Sequence, residues 1–238
     1  GSMPCRLCCP LSPSEPEKTK NPDNLQCRPL WTRIRPVYPL IPHNPMTTPR
    51  ILAFGGSLRR DSLNQKLAAA AAEGARAAGA EVTLIALRDF PLPVFDQDLE
   101  DADGLPEAAK ALKQLFRGHH GLLIASPEYN SSITAALKNA LDWVSRTGTE
   151  DEPPMVAFTG KTAALCSASP GALGGLRGLV HVRAILGNIG VMVLPDQVAV
   201  SKAHEAFAAD GTLSDKTQAA RVEKLGAQLA RHVAKMLA

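Results

Sequence analysis

Residues 50–64 read RILAFGGSLRRDSLN, and this stretch decides the fold. Its first part, Ile51–Phe54, is a short apolar run that predicts a buried β-strand ending in a pair of glycines. The Ala-rich segment Ser62–Ala78 then places apolar side chains on one face at helical spacing, and it stops at Gly79. A buried strand that turns through glycine into a helix predicts a fold in which strands and helices alternate.

The rest of the chain continues this alternation. Further apolar runs predict four more strands, at Val82–Leu87, Gly121–Ser126, Thr162–Ala168 and Val191–Leu194. Helices are predicted at Pro106–Phe116, Ile133–Val144, Leu176–Asn188 and Ser214–Leu237, with Ser214 as N-cap, and a Pro- and acid-rich loop at 90–98. Because the strands are apolar throughout, we expect an α/β domain with a three-layer, doubly wound, five-stranded parallel sheet, which is the flavodoxin-like arrangement.

Composition and charge narrow the class of protein. The chain has 238 residues, of which 45% are hydrophobic and 21% charged, so one domain over residues 50–238 is expected. No apolar run is long enough to span a membrane and no signal sequence is visible, which favours a cytoplasmic protein. The whole excess of positive charge, +3, lies in residues 1–49, so the neutral remainder offers no surface for nucleic acid.

Residues 1–49 differ in composition from everything that follows. They contain eleven prolines and no helical or strand periodicity, which predicts an extended, largely disordered segment. Gly1-Ser2 is interpreted as a scar of tag removal, and Met46 as the natural start of translation. Cys5-x-x-Cys8 has no second cysteine pair or histidine pair at ligand spacing, so no metal site is predicted.

The loop after the first strand has the chemistry of a phosphate site. Ser57, Ser62 and Asn64 supply neutral hydrogen-bonding groups, and the Arg59 guanidinium suits phosphate oxygens. The helix that follows directs its free N–H groups to the same place. The loop lacks the spacing of a dinucleotide-binding loop and the lysine of a Walker A loop, so it favours a single monophosphate.

Two further loops are expected at the same edge of the sheet. Ser126–Ser132 follows the third strand, and the glycine-rich segment Ser167–Gly175 follows the fourth. The carboxyl ends of parallel strands meet at one edge, and ligands of open α/β sheets bind there. Each loop alone is also compatible with an ordinary turn or connector. Their shared edge makes a binding site for a flat, phosphorylated ligand the better interpretation.

These three loops together carry a resemblance to a known family. The motifs are Gly-Ser-x-Arg-x-x-Ser-x-Asn after the first strand, Ser-Pro-Glu-Tyr-Asn after the third and Ser-x-Gly-x-x-Gly-Gly after the fourth. In order and spacing, residues 50–195 resemble the NADPH-dependent FMN reductases, which include bacterial quinone, chromate and azo-dye reductases. Pro170 and the proline-rich segment are departures from the family pattern.

The resemblance implies cofactors, partners and site residues. It implies that the FMN phosphate is held by Ser57, Arg59, Ser62 and Asn64, and that the isoalloxazine is lined by Pro127, Glu128, Tyr129 and Asn130, with Ser169 and Gly171 on its other side. NADPH would pass hydride through FMN to a small acceptor such as a flavin, quinone, azo compound or chromate, with ping-pong kinetics and no catalytic acid or base in the first half-reaction. Family members form homodimers or homotetramers, which places the Ile133–Val144 helix and the loop with Asp96 at subunit contacts.

An alternative function is that of a flavodoxin-type electron carrier, which binds FMN without oxidising NAD(P)H itself. Such carriers are acidic and hold the flavin between aromatic rings, whereas this body is neutral and offers only Tyr129 and Trp143 near the second loop. A nucleotide-dependent kinase or hydrolase lacks its Walker lysine here. Among other polar residues, His119 and His120 are expected at the surface, Cys166 in the core, and His181 and Arg183 at an oligomer contact.

Overall fold

The computed structural model describes residues 47–238 of the chain. The described residues include only positions 47–49 of the predicted proline-rich extension. The four cysteines of the extension and the proposed start at Met46 lie outside them. Within the described range, no helix is both long and apolar enough to cross a membrane.

The described residues form a five-stranded sheet with helices on both faces. The strands are β1 (Arg50–Gly55), β2 (Glu81–Ala86), β3 (Gly121–Ala125), β4 (Thr162–Ala168) and β5 (Met192–Val200). The helices are α1 (Leu63–Ala77), α2 (Gln97–Asp103), α3 (Glu107–Gly118), α4 (Ala135–Ser145), α5 (Leu176–Asn188), α6 (Ala203–Ala206) and α7 (Lys216–Leu237). All strands are parallel in the order β2-β1-β3-β4-β5. This confirms the predicted flavodoxin-like α/β class, and the strand order reverses between β1 and β3.

Alternation along β1 shows how the sheet separates two cores. Ile51 and Ala53 face a core that α1 and α7 cover, whereas Leu52 and Phe54 face a second core under α3, α4 and α5. All four side chains are fully buried. Because both faces of the central strands are covered, β1 and β3 are buried and apolar almost throughout, which is why the apolar runs located these strands.

Helices α1 and α7 are packed backbone to backbone. A Cβ atom added to Gly74 would overlap the carbonyl group of Glu223, and one added to Gly226 would overlap the carbonyl of Ala71. Glycine is therefore required at both positions of this contact, because no side chain fits between the two helices. The contact fixes α1, whose N-terminus faces the loop after β1, from the side opposite the sheet.

Most predicted boundaries agree with the structure within two residues, and three predictions about elements differ in other ways. Helix α7 is capped by Asp215, whose carboxylate accepts from the N–H groups of Thr217 and Gln218, so the prediction of Ser214 as N-cap was wrong. Strand β5 continues to Val200 through Pro195, which is tolerated because it lies on an edge strand, where the register with β4 shifts between Val193 and Gln197. Residues 97–103 form α2, begun by an Asp96 side-chain cap; no helix was predicted there, and the loop predicted at 90–98 overlaps its start.

The histidine and cysteine predictions had mixed outcomes. His119 is buried and not at the surface, because its ring nitrogens bond the Leu115 carbonyl at 2.6 Å and the Thr83 hydroxyl at 2.8 Å. Cys166 is fully buried as predicted, and burial raises the pKa of its thiol to about 12. His181 and Arg183 make contacts within the chain, to the Ser132 hydroxyl and the Leu194 carbonyl, both at 2.8 Å.

Candidate functional site

The loops after β1, β3 and β4 meet in one cleft at the carboxyl edge of the sheet. The cleft lies at the point where the strand order reverses, as expected for an open α/β sheet. Its walls are formed by Ser57, Arg59, Ser62, Leu63, Asn64, Pro127, Glu128, Tyr129, Ala168, Ser169 and Pro170. The structure therefore brings together all the residues predicted to bind the cofactor except Asn130 and Gly171.

Hydrogen bonds from residues at the start of α1 fix the conformation of the first loop. Ser62 is the N-cap of α1, and its hydroxyl accepts from the Gln65 N–H at 3.2 Å. The Gln65 side chain spans the loop, accepting from the Gly55 N–H at 3.0 Å and donating to the Ile85 carbonyl at 2.9 Å. The Ser57 hydroxyl accepts from the Arg59 N–H at 3.2 Å. The N-terminus of α1 is thereby fixed at the cleft, where its free N–H groups suit an anion.

Asn64 joins the first loop to the third. Its side-chain amide donates to the Ala168 carbonyl at 2.8 Å, and its amide oxygen accepts from the Ala168 N–H at 2.9 Å. The residue is only 4% exposed. Both ends of the amide are thus occupied by the backbone at the end of β4, a contact that differs from the phosphate contact predicted for Asn64.

The second loop contains a tight turn that exposes Tyr129. The N–H and carbonyl groups of Tyr129 and Ser132 are paired at 2.9 and 3.0 Å, and between them Asn130 and Ser131 have φ values of 49° and 67°. This is the geometry of a type I′ turn, for which asparagine is well suited. Asn130 lies at its exposed tip, outside the cleft wall. Tyr129 remains 54% exposed at the cleft.

Thr134 fastens the second loop to the first. Its hydroxyl donates to the Gly56 carbonyl at 2.6 Å and accepts from the Leu137 N–H at 3.1 Å, so it also caps α4. An added Cβ at Gly56 would lie 3.1 Å from the Leu137 side chain and 3.2 Å from Pro127. The glycine therefore allows the two loops to approach closely.

Glu128 directs its carboxylate toward the start of α5. It accepts from the N–H groups of Arg177 and Gly178 at 3.0 and 3.1 Å, and from the Arg177 guanidinium Nε at 2.8 Å. Burial alone would raise the pKa of the Glu128 carboxyl, but the hydrogen bonds from Arg177 and Gly178 outweigh it and hold the pKa below its ordinary value. Glu128 was predicted to line the isoalloxazine. It lies in the cleft wall, and its carboxylate connects the second loop to the start of α5.

Replacing Glu128 by glutamine is expected to lower the free energy of unfolding near pH 7 by about 1–2 kcal/mol, because charge-assisted hydrogen bonds are lost at a partly exposed site. Since the folded-state pKa is depressed, this stabilisation is present above the ordinary pKa and is lost as the pH falls through the folded value. The difference between wild type and E128Q should therefore shrink toward acid pH in urea unfolding. Glu81→Gln, an exposed acid without an ion pair among the described residues, is the matched control. A difference that stays constant with pH would contradict the role of Glu128.

The third loop is shaped by glycines that approach β5. Gly174 and Gly175 have φ values of 60° and 89°, and a Cβ on Gly174 would lie 2.7 Å from the backbone of Val200. The Ser169 hydroxyl lines the cleft and accepts from the Gly171 N–H at 3.3 Å. Gly171 itself lies outside the cleft wall, and Pro170 takes part in it.

Several residues that form or support the cleft were not predicted. Leu63, Ala168 and Pro170 line it, while Gln65, Thr134 and Arg177 hold its loops. The spacing of Ser62 and Gln65 is that of a capping box, and a threonine before a helix indicates an N-cap, so two of these could have been found from sequence. Arg177 carries no such signal, because its partner Glu128 is 49 positions away.

The donors and charges of the cleft fit a phosphate monoester attached to a flat ring. Arg59 is the cation in the wall, beside two serine hydroxyls and the N-terminus of α1. The carboxylate in the wall, Glu128, is neutralised by Arg177 and does not repel an anion. Next to these donors, the cleft wall includes the buried Pro127 and the exposed ring of Tyr129, which provide apolar contacts. Trp143 is buried and donates to the Pro93 carbonyl at 2.8 Å, so it does not take part.

The fold and cleft define a flavodoxin-like protein with a site for a phosphorylated, planar ligand. The sequence model of the NADPH-dependent FMN reductases matches residues 49–205, and the chain belongs to this family. An NAD(P)H-dependent FMN reductase of Pseudomonas aeruginosa is 37% identical over 167 residues, which cover 70% of this chain and 85% of the relative. A quinone reductase of Escherichia coli K12 is 34% identical over 145 residues, which cover 61% of this chain and 73% of the relative.

A solved structure supports the same assignment. FerB of Paracoccus denitrificans, a flavoenzyme NAD(P)H:(acceptor) oxidoreductase, is 28% identical and superposes with a TM-score of 0.66. The match covers 79% of this chain and 98% of FerB. The predicted family is thereby confirmed.

Proposed function

We propose that this protein is an NAD(P)H-dependent oxidoreductase that uses FMN to reduce a small-molecule acceptor. The observation that carries the proposal is the convergence of three loops, from β1, β3 and β4, on one cleft with a cationic, hydroxyl-rich end and an apolar end. When bound, FMN supplies the chemistry by taking a hydride from the nicotinamide and passing the electrons on. The protein contributes binding, orientation and charge.

Each residue of the cleft has a proposed role. The Arg59 guanidinium, the hydroxyls of Ser57 and Ser62 and the N-terminus of α1 bind the phosphate. Pro127, Tyr129 and Ser169 contact the ring. Asn64 and Glu128 hold the three loops in place through Ala168 and α5, and they act on the cofactor through this arrangement.

The acceptor is proposed to be a planar quinone or flavin. Tyr129 in the second loop and Leu173 in the third are 54% and 51% exposed, so the cleft is bordered by accessible apolar surface. A flat, weakly polar molecule is suited to such a border because it gains by leaving water. Names of relatives, a quinone reductase and an FMN reductase, support the same class. The cytoplasmic location stays a prediction.

The absorption spectrum of the purified full-length protein, reconstituted with FMN, tests the proposal. We expect oxidised-flavin bands that bleach when NADPH is added without oxygen and that return when a quinone is added. NADH in a parallel titration gives the preference between the two nicotinamides. Bands that do not bleach with either nucleotide would favour the flavodoxin-type carrier. Failure to bind FMN at all would overturn the assignment of the cleft.

A subunit contact is proposed at the groove beside α4. The groove has a volume of about 470 Å³ and an apolar wall that includes Leu87, Phe90 and Leu92. Its rim, the loop before α2, is fixed to α4, because Asn139 and Trp143 both donate to the Pro93 carbonyl at 2.8 Å. A rigid apolar surface next to the cleft is suited to pairing with a second copy, as family members do.

Val94→Asp should weaken this association. Val94 is 83% exposed in that loop, so the change should leave the fold intact while placing an unpaired charge in the contact. We expect the dimer dissociation constant to rise on the order of a hundredfold in sedimentation experiments. Ala220→Asp, on the exposed face of α7, is the control and should sediment like wild type. Equal association of all three proteins would place the subunit contact elsewhere.

A further inference from the structure

A second polar pocket lies at the amino edge of the sheet, opposite the cofactor cleft. It has a volume of about 290 Å³. Its walls come from the start of β1, the end of α3, the segments before β3 and β4, and the end of α7. The residues are Arg50, Arg117, His119, His120, Thr159, Gly160, Lys161, Thr162, Val233, Met236 and Leu237. No part of the proposed oxidoreductase function uses this pocket.

Lys161 is a buried cation that is short of hydrogen-bond acceptors. The residue is only 7% exposed, and its ammonium group donates to the His119 carbonyl. An ammonium group has three donors, and the described residues supply no second acceptor or carboxylate partner for Lys161. Burial, and next the charge of Arg50, lower the pKa of Lys161 to about 8. The group is therefore a costly buried charge that lines an open pocket.

A hydrogen-bond donor of Arg50 lies next to a hydrogen-bond donor of His120. The His120 Nδ1 atom accepts from the Arg50 backbone N–H at 3.1 Å, so in the neutral ring the hydrogen is on Nε2. Burial, then the charges of Arg50, Lys161 and His119, lower the pKa of His120, which favours the neutral ring. Nε2 lies 3.4 Å from the Arg50 Nη2 atom, which is also a donor. Neither atom can accept from the other, and an oxygen atom of a ligand would satisfy both.

The cations of this pocket are not neutralised by an acidic side chain in its wall. None of its wall residues is Asp or Glu, and neither Arg50 nor Lys161 makes an ion pair among residues 47–238. Arg117 differs, because it already pairs with Glu152 at 3.2 Å. Opposite the cations, Val233, Met236 and Leu237 of α7 form an apolar wall. The site thus offers positive charge and oriented donors on one side and apolar contact on the other.

We propose that this pocket binds a small organic anion, a carboxylate or phosphate ester, independently of the cofactor cleft. The anion's oxygens accept from the Arg50 guanidinium, the His120 Nε2–H and the Lys161 ammonium group. The apolar body of the ligand packs against Val233 and Met236. Binding removes the cost of the unpaired charges, which is why a pocket of this composition favours an anion over a neutral molecule.

The test uses the full chain and two probes, inorganic phosphate and octanoate, at constant ionic strength. Calorimetry gives the affinity, and the ¹⁵N and ¹H signals of the His120 imidazole report binding at this pocket. Arg50→Gln and Lys161→Met should each weaken the binding at least about tenfold, because one charge-assisted hydrogen bond is lost. Arg221→Gln and Lys224→Met make the same changes on exposed residues of α7 and should bind like wild type.

The outcomes separate this pocket from the cofactor cleft. Octanoate binding much tighter than phosphate supports a carboxylate with an apolar body, and the reverse order supports a phosphate ester. Arg59→Lys changes only the cleft, so the His120 response to both probes should be unchanged in that variant. If neither probe moves the His120 signals, or if Arg50→Gln binds like wild type, the proposal is wrong. Arg50 is exposed, so this variant tests the idea even if Lys161→Met fails to fold.

Discussion

Asn64→Ala is expected to lower the free energy of unfolding by about 2–5 kcal/mol. The change leaves the N–H and carbonyl groups of Ala168 buried without partners, and each such group costs about 1–3 kcal/mol. It also separates the loop after β1 from the end of β4, so FMN affinity should fall by about tenfold or more. Urea unfolding without FMN and a flavin fluorescence titration measure the two effects.

Asn188→Ala is the control for this substitution. Asn188 is an exposed asparagine at the end of α5 whose side chain makes no hydrogen bond among the described residues. Asn188→Ala should therefore change neither the free energy of unfolding nor the FMN affinity appreciably. If Asn64→Ala lost FMN affinity but kept full stability, the amide would contact the phosphate directly, as its sequence motif predicts. If Asn64→Ala lost neither stability nor FMN affinity, the hydrogen bonds between Asn64 and Ala168 would contribute nothing to the energy of the fold or the site.

Arg59→Lys is expected to weaken FMN binding by at least about tenfold while leaving the fold unchanged. A guanidinium can hold two phosphate oxygens at once, whereas an ammonium group is a compact charge without the fork. Because the lost interaction concerns the cofactor, activity should return at saturating FMN. Fluorescence titration and turnover at increasing FMN concentrations measure both expectations.

The neighbouring arginine offers a matched comparison. Arg60 is exposed and lies outside the cleft wall, so Arg60→Lys should bind FMN like wild type. A flavin affinity unchanged in Arg59→Lys would mean that Ser57, Ser62 and the N-terminus of α1 hold the phosphate alone. Weakening of equal size in both variants would indicate a general charge effect and no specific contact.

The fold was predictable because its signals are local. The central strands β1 and β3 are continuous apolar runs, and glycines or capping residues mark the turns, so the number of strands and the positions of the loops follow from general rules. Where local signals conflict, the prediction was wrong. Pro195 and Asp196 interrupt the apolar pattern of β5, although an edge strand tolerates them. Ser214 and Asp215 are both good N-caps, and the sequence does not show which one the chain uses.

The roles of individual side chains at the site were less predictable than their positions. Asn64 bonds to a residue 104 positions away, and Glu128 bonds to residues 49 and 50 positions away. Both were predicted as cofactor ligands because they belong to the family motifs. The direction of each side chain depends on contacts between distant loops, and no local pattern contains that information. His119 was misplaced for the same reason, because its partner Thr83 is on another strand.

The close packing of α1 and α7, at Gly74 against Glu223 and at Gly226 against Ala71, has a consequence for the order in which the protein is made. Helix α7 is the last element of the domain to leave the ribosome, and until it docks, α1 lacks its backbone contact and one core lacks half of its cover. The loop proposed to bind the phosphate is attached to α1. Loading of FMN is therefore expected to follow the synthesis of α7, and a nascent chain still missing α7 should be unable to retain it.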